Sequence, residues 1–269
     1  MTEEITSAAN PLIKRMRLLA DRKHRRREGA FVVYGVQPVW QAVEAGADVE
    51  ALIVAPDLLA RPAAGRMLAQ QEDHGTRVVT VSGALLARLA GRDGPSGLAA
   101  IVRTRTSLLA DLPVLPGSVF VALHEVGNPG NLGTIIRTAA AAGAGGVILI
   151  GQTTDPYDPA AVKASMGALF SVPVAHTAAA EDFFAWTAGH GISVAATSAR
   201  GAVTLWQSRL RLPGALLLGS EGAGLPADVL VRGDLQVRIP MTGTAESLNL
   251  AVAAGILLYE TRRRSGCLR

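Results

Sequence analysis

The stretch from Arg238 to Glu260, RIPMTGTAESLNLAVAAGILLYE, limits the folds open to this chain more than any other. A short apolar run, Val237 to Met241, enters it as a strand would. After a polar loop, Leu248, Ala251, Val252, Gly255, Ile256 and Tyr259 fall at i, i+3, i+4, i+7, i+8 and i+11, which predicts a helix. The positions between them, Leu250, Ala253, Ala254, Leu257 and Leu258, are also apolar or small, and a helix apolar on every side is expected to be buried. Thr242, Gly243, Thr244, Glu246, Ser247 and Asn249 therefore crowd polar groups at the entrance of a buried helix, where free backbone N–H groups can hold a ligand. The structural alternative is that Ser247 caps the helix and Asn249 satisfies a nearby carbonyl.

Such a helix needs a large core around it. With 269 residues, 49% of them hydrophobic and 18% charged, the chain is globular in composition and long enough for one or two domains. No apolar run has the character of a spanning helix, and the first residues, MTEEITSAANP, lack the basic start and apolar stretch of a secretory signal. A cytoplasmic protein without membrane contact is expected. A single cysteine, Cys267, and five histidines without ligand-like spacing give no support to disulfides, thiol chemistry or a metal centre.

A net charge of +4 and a pI of about 9.7 favour a polyanionic partner, and the distribution of charge is more informative than its total. The segment KRMRLLADRKHRRR holds eight basic residues, among them Lys14, Arg15, Arg22, Lys23, Arg25, Arg26 and Arg27, against the single acid Asp21. A clustered arginine set suits phosphate contacts with RNA or DNA; the alternative is a solvated helical face or a flexible arm.

Taken in order, residues 1–102 alternate strands and helices, with Asn10-Pro11 opening the first helix, and are expected to form a small α/β domain of parallel type. No nucleotide-binding loop occurs there, which makes it a binding module in this reading. A proline-bearing stretch, 103–117, is the expected linker. The second domain, 118–269, begins with the strand Val119 to Leu123 and a strand–loop–helix–strand unit through Ile150. Gly127, Gly130 and Gly133 lie three apart, but the G-x-G-x-x-G dinucleotide fingerprint and its acidic partner are missing, so a nicotinamide cofactor is disfavoured. Arg137 sits on an otherwise apolar helix, and Lys163 and Ser165 lie on a later one that, with Tyr157-Asp-Pro before it, is expected to face RNA. The last strand before the organising stretch runs into Gly219-Ser-Glu-Gly-Ala-Gly-Leu225, a Gly-rich turn with Glu221 at a strand's C-terminal end, where open α/β sheets bind ligands.

Three segments thus follow in one order: Asn131-Leu-Gly-Thr-Ile-Ile-Arg137, Leu218-Gly-Ser-Glu-Gly-Ala-Gly-Leu225 and Ile239-Pro-Met-Thr-Gly-Thr-Ala-Glu-Ser-Leu-Asn249. Together they resemble the three signature motifs of the SpoU (TrmH-like) ribose 2′-O-methyltransferases of the SPOUT superfamily, over roughly Val119 to Arg262. Residues 1–102 resemble the family's RNA-binding module, similar to ribosomal protein L30e, through Asn10-Pro11, the basic segment, Phe31 to Gly35 and Gly97 to Val102. Tyr34 departs from that pattern, in which a glutamate is usual.

The resemblance implies an α/β fold: a C-terminal SPOUT domain with a parallel sheet and a deep trefoil knot, beside a smaller L30e-like domain. It also implies a homodimer, with the active site near the subunit interface. S-adenosylmethionine is the implied cofactor, held at Thr197, Leu218, Gly219, Ile239, Met241 and Leu248. Asn131, Arg137, Glu221, Ser247 and Asn249 match the positions associated with the reaction centre, and no metal is required. The implied reaction is methylation of a ribose 2′-hydroxyl in ribosomal RNA, with 23S rRNA preferred. The alternatives are a tRNA substrate and a non-catalytic RNA-binding protein that keeps the fold.

Overall fold

The computed structural model describes residues 4–59, 62–91 and 97–266, so Cys267 lies outside them. Two compact units divide the chain. The first holds the described residues up to Arg105 together with Tyr157–Ser171; the second holds Thr106–Pro156 and the chain from Val172 onward.

In the first unit, α1 (Pro11–Leu18) and α2 (Arg22–Glu28) precede β1 (Ala30–Tyr34), α3 (Val36–Glu44), β2 (Val49–Val54), α4 (Pro62–Asp73), β3 (Arg77–Thr80), α5 (Gly83–Ala90) and β4 (Leu98–Arg103). Asn10 caps α1 by accepting from Leu12 N, with Pro11 at the first helical position, as the Asn-Pro pair predicts. The sheet order is β1-β4-β2-β3. It is mixed rather than parallel: β4 runs antiparallel to both β1 and β2, and only β2 and β3 are parallel. The expectation of a parallel sheet fails because β4 follows α5 in a direction that alternation alone cannot show.

The second unit opens with Ser107, which bridges Ala175, and Leu112, which is buried in the core. The 103–117 stretch is thus built into the units on either side of the Arg105–Thr106 boundary. Next come β5 (Val119–His124), α6 (Pro129–Ala141) and β6 (Gly146–Ile150). The chain then contributes α7 (Pro159–Ser165) to the first unit, where Phe31 meets Tyr157 at 4.7 Å and Phe170 at 6.2 Å between ring centroids. It continues with β7 (Val174–Thr177), α8 (Ala180–Gly189), β8 (Ser193–Thr197), β9 (Val203–Thr204), β10 (Gly214–Leu218), α9 (Ala227–Leu230), β11 (Leu235–Arg238) and α10 (Leu250–Arg264).

The seven strands lie in the order β7-β6-β5-β10-β8-β11-β9, every neighbouring pair parallel. Strands β5, β6 and β10 are buried along their whole length, which is why they read as continuous apolar runs instead of alternating ones. The C-terminal ends of the adjacent strands β10, β8 and β11 open on one edge, and the loops leaving them build the site.

Helix α10 corrects one expectation. Leu250, Ala251, Ala254, Leu257 and Leu258 are buried, but Val252 and Tyr259 are 50% and 43% exposed, so one apolar side of it faces outward.

Candidate active site

Asn128 accepts from Asn131 N at 3.0 Å and caps α6, with Pro129 at its first position. At the start of α10 the cap is Asn249, not Ser247: its Oδ1 accepts from Ala251 N at 2.9 Å and Val252 N at 3.3 Å. The turn after β10 is closed by Gly224 N donating to Ser220 O at 3.0 Å. It requires glycine at 219, because a Cβ there would stand 2.0 Å from the Gly224 carbonyl carbon.

One chain of hydrogen bonds joins these three places. Asn131 Nδ2 donates to Glu221 Oε1 at 2.9 Å across 90 residues of sequence, and Asn249 Nδ2 donates to Asn131 Oδ1 at 3.0 Å across 118. Its direction is set by chemistry. An ionised carboxylate only accepts, so Asn131 must turn its amide N–H₂ to Glu221; its carbonyl then takes the amide of Asn249, whose own carbonyl is left to cap α10. Gly127 N and Asn128 N add donors to Glu221 at 3.4 and 3.3 Å. Burial pushes the Glu221 carboxyl up, but the bonds from Asn131, its own backbone N–H, Gly127 and Asn128 outweigh it and hold the group below the usual carboxylate range.

Beside this network lies a cavity of about 420 Å³. Thr197, Leu218, Gly219, Ile239, Met241 and Leu248, all expected to bind cofactor, line it, and so do Glu221, Ser247 and Asn249. Asn131 reaches it through Glu221 and Asn249. Arg137 is not part of the lining: it lies on the exposed side of α6, opposite the buried Leu132, Ile135, Ile136 and Ala139, and makes no hydrogen bond or ion pair with the described residues. Sequence reasoning missed the capping Asn128, whose Asn-Pro pair was a usable signal, and the cavity-lining Leu250, Ala253 and Leu257, which read only as core.

The expected RNA-contacting set needs correction at two positions. Arg25 is 2% exposed; its Nη1 donates to Leu19 O at 3.1 Å and Ala20 O at 2.7 Å, and its Nη2 lies 3.6 Å from Asp158. It is a fastener of the fold and is not available to phosphate. Arg15 is engaged by Glu28 at 2.8 Å and Glu50 at 2.7 Å. Lys14, Arg22, Lys23, Arg26, Arg27 and Lys163 are exposed.

Among the described residues no group of three or more His, Cys, Asp or Glu is placed to hold a metal ion, and no helix is long and apolar enough to cross a membrane. The cavity suits S-adenosylmethionine by its make-up: apolar Leu218, Ile239 and Leu248 for a purine, and Met241 and Leu248, 40% and 36% exposed, left for a ligand to cover. Glycine backbone at 219 and 224 gives close approach to polar groups.

An α/β domain with a cavity at the ends of parallel strands and an amide–carboxylate chain beside it has the place where open α/β sheets bind small ligands. Residues 118–259 match the SpoU rRNA Methylase family and residues 10–100 the MRM3-like substrate binding domain; the chain belongs to the SpoU rRNA methylase family, and its methyl donor is S-adenosylmethionine. An rRNA methyltransferase from Sinorhizobium meliloti, solved with AdoMet bound, is 38% identical over 98% of both chains, with a TM-score of 0.86. The 23S rRNA (uridine(2479)-2′-O)-methyltransferase of Streptomyces viridochromogenes is 34% identical over 92% of this chain and 87% of its own length. The 23S rRNA (guanosine(2553)-2′-O)-methyltransferase RlmP of Bacillus subtilis is 28% identical over 97% of this chain and 99% of its own.

Proposed function

We propose that this protein transfers a methyl group to a ribose 2′-hydroxyl of 23S rRNA. The observation that carries the reading is the hydrogen-bonded chain Glu221–Asn131–Asn249, which ties together the three motif segments beside the 420 Å³ cavity. Two relatives matched over nearly the whole chain are named for 23S rRNA, one for a uridine and one for a guanosine, which supports the substrate class and leaves the base to local recognition.

S-adenosylmethionine, when bound, supplies an electrophilic sulfonium methyl. Thr197, Leu218, Gly219, Ile239, Met241 and Leu248 would hold it. The chain's own task is to align the 2′-hydroxyl and to stabilise the charge that develops on its oxygen. Glu221, Asn131 and Asn249 fix the starts of α6 and α10 so that the rim does not reorganise during reaction, and Ser247 offers the ribose a hydrogen-bonding hydroxyl. Arg137 holds a substrate phosphate and stabilises the developing alkoxide; a guanidinium keeps its proton and offers donors only, so it does not serve as a base.

Arg137 stands outside its own cavity, which fits a homodimer. Its neighbour Thr138 faces Gly255 of α10, the helix that leaves Val252 and Tyr259 exposed. In a dimer built on that apolar side, Arg137 of one protomer completes the cavity of its partner. The trefoil knot typical of the family belongs to the same reading. The enzyme would act in the cytoplasm, where its substrate is made.

The test is incubation with methyl-labelled S-adenosylmethionine and separate pools of unmodified 23S rRNA, 16S rRNA and tRNA. Labelling of the 23S pool alone is expected; labelling of tRNA alone, or of no pool while cofactor binds, overturns the proposal.

A further inference from the structure

The first unit has a cavity of its own, about 590 Å³, that the reaction just described does not use. Its floor is apolar, made by buried residues such as Leu19, Val32 and Leu86. Tyr34 forms part of the wall, and its hydroxyl makes no hydrogen bond with the described residues. Burial pushes that phenol up to about 12, so it stays neutral and can both donate and accept.

The mouth has the opposite character. Arg17, Arg88 and Lys163 line it and are exposed, and neither Arg17 nor Arg88 has a hydrogen-bond or ion-pair partner among the described residues. Among the described residues no Asp or Glu lines the cavity. Met166 stands there too, 40% exposed, as the left-handed C-cap of α7.

Apolar and aromatic surface inside, with cations around the opening, is the pattern that receives a base taken out of a stack while its flanking phosphates stay in water. The volume falls in the range of about 300–1,000 Å³ that encloses a small ligand, so one nucleotide enters and a duplex does not. Three cations at one cavity favour a polyanion over a single small anion. We propose that this cavity receives one unstacked nucleotide of the substrate RNA, the base against Tyr34 and the apolar floor, the neighbouring phosphates on Arg17, Arg88 and Lys163. The proposal rests on the rRNA methyltransferase reading and adds a second grip on the RNA, apart from the cavity of the second unit.

The test uses the full-length protein with a 23S rRNA transcript. Its variants are Arg17→Ala with Arg88→Ala, and Ala160→Trp, which plugs the lip from an exposed position without removing a cation; Ala160→Ser is the control. RNA affinity against salt, S-adenosylmethionine affinity and methyl transfer are measured for each. The double arginine variant is expected to lower the salt slope by about two. Ala160→Trp is expected to weaken RNA binding roughly tenfold while Ala160→Ser matches wild type, with cofactor affinity unchanged in all. Unchanged RNA affinity and salt slope in both variants overturn the proposal. Binding reads the pocket and methyl transfer reads the reaction. A wild type that binds the RNA without methylating it therefore removes the functional reading, and the variants still decide the pocket. Absence of RNA binding by the wild type overturns both.

Discussion

Beside the second unit's cavity three polar side chains are engaged with one another: Glu221 takes Asn131, Asn131 takes Asn249, and Asn249 caps α10. In the first unit's cavity Tyr34, Arg17 and Arg88 have no such partners among the described residues. The first arrangement is spent on holding geometry, as a reaction needs that must not reorganise in its transition state. The second leaves hydrogen-bonding and charge capacity open, as recognition of a flexible polyanion needs. Preorganisation and reception are thus placed in different parts of one chain.

The sharpest way to break this contrast is at Arg137, the catalytic candidate that has no hydrogen-bond or ion-pair partner among the described residues. Arg137→Ala should lower methyl transfer by about 100-fold or more while S-adenosylmethionine affinity stays within about twofold. Near-normal turnover would remove Arg137 from the mechanism. Next is Arg25, basic in sequence but buried in the fold. Arg25→Ala should lower the unfolding free energy by about 2–3 kcal/mol in urea melts. The paired change Lys23→Ala with Arg26→Ala should leave the melt unmoved and reduce the salt slope of RNA binding by about two. If Arg25→Ala reduced only the salt slope, the division into fastener and phosphate contact would be wrong.

Smaller is the effect of Asn249→Ala, which removes both the cap of α10 and the end of the amide chain. A loss of about 1 kcal/mol in stability is expected, together with weaker cofactor binding by calorimetry. The smallest effect concerns pH. The folded Glu221 carboxyl titrates below its unfolded value, so its contribution is present at neutral pH and is lost only as pH falls through the carboxylate range. Cofactor affinity should be flat from pH 7 to about 5 and fall below that. A decline beginning near pH 6 would mean that the network is not anchored on an ionised Glu221.

Most of the second unit could be read in advance because β5, β6 and β10 are buried on both faces and leave unbroken apolar runs such as Val119–Leu123. The three motif segments could be read as well, but not the way they join, since bonds spanning 90 and 118 residues leave no local pattern. The direction of β4 was hidden for the same reason. The basic segment misled at Arg25 because charge alone does not distinguish a guanidinium facing solvent from one turned onto the carbonyls of Leu19 and Ala20. Residues 157–171 follow β5 and β6 in sequence yet join the core around Phe31 through Tyr157, Val162 and Phe170, a destination that local pattern does not mark.

The most direct test is to label 23S rRNA with methyl-labelled S-adenosylmethionine, hydrolyse it in alkali and find where the label resides. A 2′-O-methyl group blocks attack of that oxygen on the neighbouring phosphate, so the account predicts label in an alkali-resistant dinucleotide at one site, absent with Arg137→Ala. Label recovered only in mononucleotides would place the methyl on a base and contradict it.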